Sequence, residues 1–223
     1  MHLRNAIEAA FGGRAFARPL FHSHPGGLRF ALSDGCSPIR RFVVALQKSQ
    51  MICDEIFPIG GSLVVCLQVH AERSHFAHRK HIREMLEADI DIPPERSIWC
   101  SPAPTERELE DGGDGWLIHL AFAAPLSLLP HFLWCSMAVD CGSIRPRTSC
   151  NIYLFNLQER LLVWPYDDRG MDVVGPNHLR LSALFHKYRA HLNEYELPAM
   201  LKTFEPHIEC SSKRPLEATE PKR

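Results

Sequence analysis

The run from Ser62 to Val69, SLVVCLQV, limits the fold more than any other part of the chain. It is apolar and rich in β-branched residues with little alternation, which predicts a strand covered on both faces, inside a sheet rather than at its margin. Gly60 and Gly61 release the chain into it. Covering such a strand takes a layer of helices, and the preceding segment supplies one. Ser37 is placed to cap, Pro38 suits a first turn, and Ile39, Phe42, Leu46, Cys53 and Ile56 recur near helical period until Pro58.

The rest of the chain repeats these two patterns. Residues 28–32 alternate as a short strand, 78–88 suit an exposed helix stopped by Pro93 and Pro94, and 97–100 form another strand. Residues 116–123 read as a second buried strand, and 126–139 as an apolar helix that tolerates Pro130 only in its first turn. Residues 151–155 and 161–164, joined across Asn156 to Arg160, are the clearest hairpin. Asn177 is placed to cap a last helix with Leu181, Leu184, Phe185, Tyr188, Leu192 and Tyr195 as its apolar stripe, ended by Pro198. The expected class is α+β, a single domain over 1–205 with a mostly antiparallel or mixed sheet packed against helices. Residues 206–223 read as a disordered polar tail, and 101–115 as an acidic loop carrying Glu106, Glu108, Glu110, Asp111 and Asp114 against Arg107 alone.

Across 223 residues the formal net charge is −1, so no basic field draws the chain to nucleic acid or to anionic lipid. The most apolar region, 116–139, is interrupted by His119, Pro125, Pro130 and His131 and reads as core rather than as a membrane span. Eight cysteines without a C-x-x-C pair, several in apolar surroundings, suit buried thiols in a reducing cytoplasm. The nucleophile-elbow, P-loop, dinucleotide and H-E-x-x-H motifs are all missing from the sequence, which disfavours the common enzyme classes and implies no cofactor.

The densest polar cluster is Tyr166-Asp167-Asp168-Arg169-Gly170-Met171-Asp172, set between two strands. Its chemistry is that of a turn: an Asp accepting backbone N–H bonds, Arg169 forking onto a carboxylate, Gly170 supplying positive φ. The rival reading is a metal-assisted hydrolase using Asp167, Asp168 and Asp172, although D-D-x-x-x-D lacks the glycine and closing Glu of a calcium loop. His75, His78 and His81, with His70 upstream, have a spacing that fits a solvated basic face better than zinc, because Arg79, Lys80 and Arg83 repel a cation. His22 and His24 flank a turn. The strand aromatics, set among Val, Leu and Ile, read as core.

Residues 28–30 (LRF), 166–175 (YDDRGMDVVG) and the terminal helix with Leu184, Tyr188 and Tyr195 resemble the bacterial domain-of-unknown-function 3885 family. The chain departs from that pattern at His191 and in its 101–115 loop. The resemblance implies a small cytosolic protein, some of whose relatives are encoded among polymorphic secreted toxins, and hence an immunity protein occluding a cognate toxin. It supplies no catalytic residues. The expected partner contacts are Glu106, Glu108, Glu110, Asp111, Asp114, Asp168, Arg169 and Asp172.

Overall fold

A computed structural model of the chain describes residues 2–33, 37–58, 60, 63–71, 76, 78–103 and 115–205. Its frame is a 7-stranded sheet of β1 (Leu28–Ala31), β2 (Leu63–Ala71), β3 (Arg96–Pro102), β4 (Trp116–Ala124), β5 (Asn151–Asn156), β6 (Leu161–Pro165) and β7 (Gly170–Val174). The spatial order is β1-β7-β6-β5-β2-β4-β3 and every pairing is antiparallel, so the expected α+β class holds and the sheet is not mixed. The long run around Val65 lies between β5 and β4, and Leu63 to Val69 are all buried.

Alternation across the sheet divides the core in two. Val65, Leu67 and Val69 of β2, with Ile118, Leu120 and Phe122 of β4, face the larger cluster. That layer is completed by α3 (Pro38–Ile56), α4 (His78–Glu87), α5 (Leu129–Met137), α6 (His178–Lys187) and α7 (Leu197–Phe204). The opposite residues, Val64, Cys66, Ala121, Tyr153 and Phe155, are covered among the described residues by α1 (Leu3–Phe11), the segment after it and Leu20 of α2 (Leu20–Ser23). One face is therefore thickly covered and the other thinly, and the thin cover leaves room for a cleft.

Pro130 sits in the first turn of α5, where its missing N–H costs nothing. The apolar stripe after Asn177 does not continue as one helix. Asn177 caps α6 by accepting from the Arg180 N–H, but α6 stops at Lys187, and Pro198 begins α7 instead of ending a helix. The reason is that proline's fixed φ and absent donor are tolerated in a first turn as readily as after a last one. Between the two helices Leu192 bridges Phe30, and the Asn193 N–H donates to the Arg29 carbonyl at 2.8 Å, closing the β1 margin of the sheet. Tyr195 is left 88% exposed rather than in the stripe.

The acidic residues Glu106, Glu108, Glu110, Asp111 and Asp114, and the tail from 206, lie outside the described residues. The segment holding those acids joins β3 to β4, whose ends pair as Pro102 with Trp116. Both sides of the loop thus belong to one sheet. Among the described residues, no helix is long and apolar enough to cross a membrane.

The β5–β6 turn is tied to the helical layer by Asn177 Nδ2, which donates to the Glu159 carbonyl at 2.9 Å, and by Asn156. Asn156 donates to the Ile56 carbonyl at 2.7 Å and accepts from the Glu159 N–H at 3.0 Å. Asn156→Ala leaves that carbonyl buried without its donor, and should lower unfolding free energy by ~1–3 kcal/mol with an unchanged m-value in urea.

Candidate functional site

The Asp167–Asp172 segment is built as the sequence suggests in two respects and differently in a third. Asp167 Oδ1 accepts from the Arg169 N–H at 2.7 Å and the Gly170 N–H at 3.3 Å, while Oδ2 receives the Arg169 guanidinium. The aspartate turn and the arginine fork are both present. Gly170, however, lies in β7 and is not among the glycines of positive φ. Its role is space, because a Cβ there would stand 1.9 Å from the Tyr166 hydroxyl. The missing side chain lets the tyrosine fold back over its own turn.

Each of the three carboxylates has its own arginine. Asp167 holds Arg169, which also reaches Asp140 at 3.2 Å. Asp168, 1% exposed, lies 3.3 Å from Arg41 Nε, close enough for ion pairing but without hydrogen-bond alignment. Asp172, 0% exposed, takes a two-pronged contact from Arg29, with Nε at 2.8 Å and Nη2 at 3.0 Å. Arg29 and Asp172 are direct neighbours in the β1–β7 register. Burial pushes the Asp172 carboxyl above its usual range, and the Arg29 fork opposes that shift. A cation would have to displace these guanidinium groups to use the carboxylates together. Among the described residues, no group of three His, Cys, Asp or Glu side chains is arranged to hold a metal ion.

The histidines are not uniformly solvated. His75 lies outside the described residues, but His81 is buried and meets Glu84 at 2.9 Å, beside Thr148. His24 is also buried, with Nδ1 3.1 Å from the Leu20 carbonyl, and burial lowers its pKa. Both positions read as surface from local polarity, and tertiary packing turned them inward. The buried thiols Cys150 and Cys135 are each pushed up to about 12 by burial, far from a thiolate nucleophile.

A second feature, absent from the sequence reading, occupies the thinly covered face. Each of the seven strands contributes one side chain to a row on this face, Arg29, Asp172, Trp164, Tyr153, Gln68, His119 and Trp99, which steps diagonally between β5 and β2 because Tyr153 lies opposite Cys66 and Gln68 opposite Asn151. Trp164 neighbours Asp172 in register and stacks beside Tyr153 at 5.8 Å. The Tyr153 hydroxyl donates to Gln68 Oε1 at 3.2 Å, Gln68 pairs with His119, and His119 stacks on Trp99 at 4.9 Å with 5° between the rings. Trp99, Tyr153 and Trp164 are thus members of a polar-aromatic row and not only core. The signal lay in Gln68 and His119, polar residues inside otherwise apolar strands at positions of the same parity.

Over one end of the row opens a cleft of about 770 Å³, bordered by Arg18, Arg29, Gln68, Trp164 and Tyr166 among others. Arg18 spans its floor. Its guanidinium carbon sits 3.9 Å above the Trp164 ring, and Nη2 donates to the Tyr153 hydroxyl at 2.7 Å. Beneath it, Gln68 Nε2 and Trp164 Nε1 are buried with no acceptor among the described residues. Each such orphan costs ~1–3 kcal/mol of lost solvation. The Tyr166 hydroxyl, pushed up to about 12 mainly by burial, stays protonated and able to donate.

Fold and turn together define a single-domain α+β protein whose clustered carboxylates are each paired with an arginine, one of which, Arg29, borders a cleft on the sheet. The chain belongs to the family described as Domain of unknown function (DUF3885), whose model matches residues 3–196. No curated protein and no solved structure matches it.

Two measurements follow from this geometry. Arg29→Met strands the Asp172 carboxyl and should lower unfolding free energy by ~2–4 kcal/mol, whereas the double change Arg29→Met with Asp172→Leu should recover at least half of that loss. His119, whose pKa burial drives down to about 4, is neutral in the fold. A folded value below the unfolded one means that stability is full above about pH 6.5 and falls by ~2–3 kcal/mol as pH drops toward 4. In His119→Phe, urea titrations over that interval should show a correspondingly flatter dependence.

Proposed function

We propose that this protein acts by binding rather than by turnover, as a cytoplasmic immunity protein that neutralises a cognate bacterial secreted toxin by occluding it. The observation that carries the binding reading is the pairing of Asp167, Asp168 and Asp172 each with a separate arginine. Groups already neutralised and buried are poor general acids, bases or metal ligands, so the segment most suggestive of catalysis acts as scaffold. The toxin partner rests on the family, through the gene neighbourhood that the sequence resemblance implies.

In this reading the partner contacts divide by exposure. Asp168 and Asp172 are buried and support the surface from below, while Arg169, with its side chain 68% exposed, presents a charge at the turn. Glu106, Glu108, Glu110, Asp111 and Asp114 supply the negative field that steers a basic partner. An acidic strip facing a basic groove gives fast, salt-sensitive association, while affinity comes from fewer central anchors.

The test is growth rescue: co-expression with the toxin encoded beside the gene should restore growth, and failure with every neighbouring toxin rejects the assignment. Replacing the five acids by their amides should slow association about tenfold or more at low salt and flatten its salt dependence, with the dissociation rate changed much less. Equal association rates for the two forms would remove the acidic segment from recognition.

A further inference from the structure

We infer that the cleft over the sheet binds a small organic oxyanion, a carboxylate or a phosphate monoester, with Arg18 as the group that takes its charge. The inference is separate from the inhibitor role, and either can fail without the other.

Charge is the first support. Arginines border the cleft at two places, Arg18 and Arg29, and among the described residues no Asp or Glu lines it. Arg29 is already answered by Asp172, with Glu196 Oε1 at 3.3 Å. Arg18 has no carboxylate within ion-pair distance among the described residues; its neighbours are the Tyr153 hydroxyl and the Trp164 ring. A guanidinium held over an indole, with one nitrogen donating to the Tyr153 hydroxyl, keeps further donors for a carboxylate or phosphate, the groups a guanidinium recognises in a two-pronged manner.

The floor beneath Arg18 is the second support and is independent of charge. Gln68 is only 3% exposed, yet its amide nitrogen has no acceptor, while its oxygen is committed to the Tyr153 hydroxyl and to Asn151 Nδ2 at 3.4 Å. That commitment fixes the amide with its N–H groups unanswered. Trp164 Nε1 is a second unanswered donor on the same floor. Donors without acceptors at the base of an open cleft match an occupant that is rich in acceptors. Its volume, about 770 Å³, falls in the range of small-molecule sites and far exceeds a bare inorganic anion. Leu20 and Leu117 offer apolar wall for the carbon part of such a ligand.

The supporting shell explains why the turn is so heavily braced. Asp172 holds Arg29 at the rim, and the absent Cβ of Gly170 lets Tyr166 sit at the same rim. The segment that marks the family thereby shapes the cleft without entering it.

The test uses the full chain and matched pairs of probes: adenosine 5′-monophosphate against adenosine, glucose 6-phosphate against glucose, and benzoate against benzamide. Calorimetry and thermal shift should find at least one charged probe binding with Kd near or below about 1 mM and its neutral partner binding at least tenfold more weakly. The phosphate and carboxylate arms show which oxyanion the site takes. Arg18→Gln should weaken that probe about tenfold or more while the protein still unfolds in one cooperative transition in urea, and Arg18→Lys should restore part of the affinity. Binding of no charged probe, equal binding of charged and neutral partners, or undiminished binding by Arg18→Gln would each overturn the assignment.

Discussion

The ion pair between Arg29 and Asp172 is the contact on which the thinly covered face depends. It joins the outermost strand to its neighbour through a carboxylate with 0% exposure, and the two residues are 143 positions apart in sequence. A buried carboxylate is costly unless its oxygens are answered, so the arginine can neither be lost nor swung aside without exposing or protonating its partner. Arg29 in turn covers the Phe21 ring at 4.9 Å, and the carbonyl of Arg29 receives Asn193. One residue thus registers β1 on β7 and covers the α2 segment through its guanidinium, and holds the chain that follows α6 through its carbonyl.

The three carboxylates show how a cluster suggestive of chemistry can be architecture. Asp167 organises backbone N–H groups within the turn, Asp168 faces α3 through Arg41, and Asp172 faces β1. They point to three different partners, so their nearness in sequence does not become a shared site. What the turn does contribute to function is placement of Tyr166 and Arg29 beside open space, while recognition falls to groups that carry unmatched charge.

Much of the frame was legible because its signals are local. The proline-started α3, the doubly buried β2, the β5–β6 hairpin and the proline in the first turn of α5 all follow from patterns shorter than twenty residues, although Ser37 stands at the α3 N-cap without a side-chain capping bond. Pro198 misled because the same fixed φ that ends one helix begins another. His24 and His81 misled because polarity in the neighbouring sequence says little about which way a short segment packs. The row from Arg29 to Trp99 was the hardest to see. Each strand carries only one of its members, and they meet only through strand register and, between β5 and β2, through the diagonal reach of Tyr153 to Gln68.

The closure of β1 by Leu192 and Asn193 has a bearing on assembly. Exposed ladder groups invite a neighbouring chain, and here one flank of the sheet is stoppered by the protein's own backbone. The opposite flank, β3, keeps Ile98 42% exposed and Cys100 exposed beside it. A sheet stoppered on one flank, with no strand paired to the other among the described residues, can join a second copy only by that other flank, and the pair then presents two stoppered flanks. Growth by that route terminates at two subunits and does not propagate into a fibre.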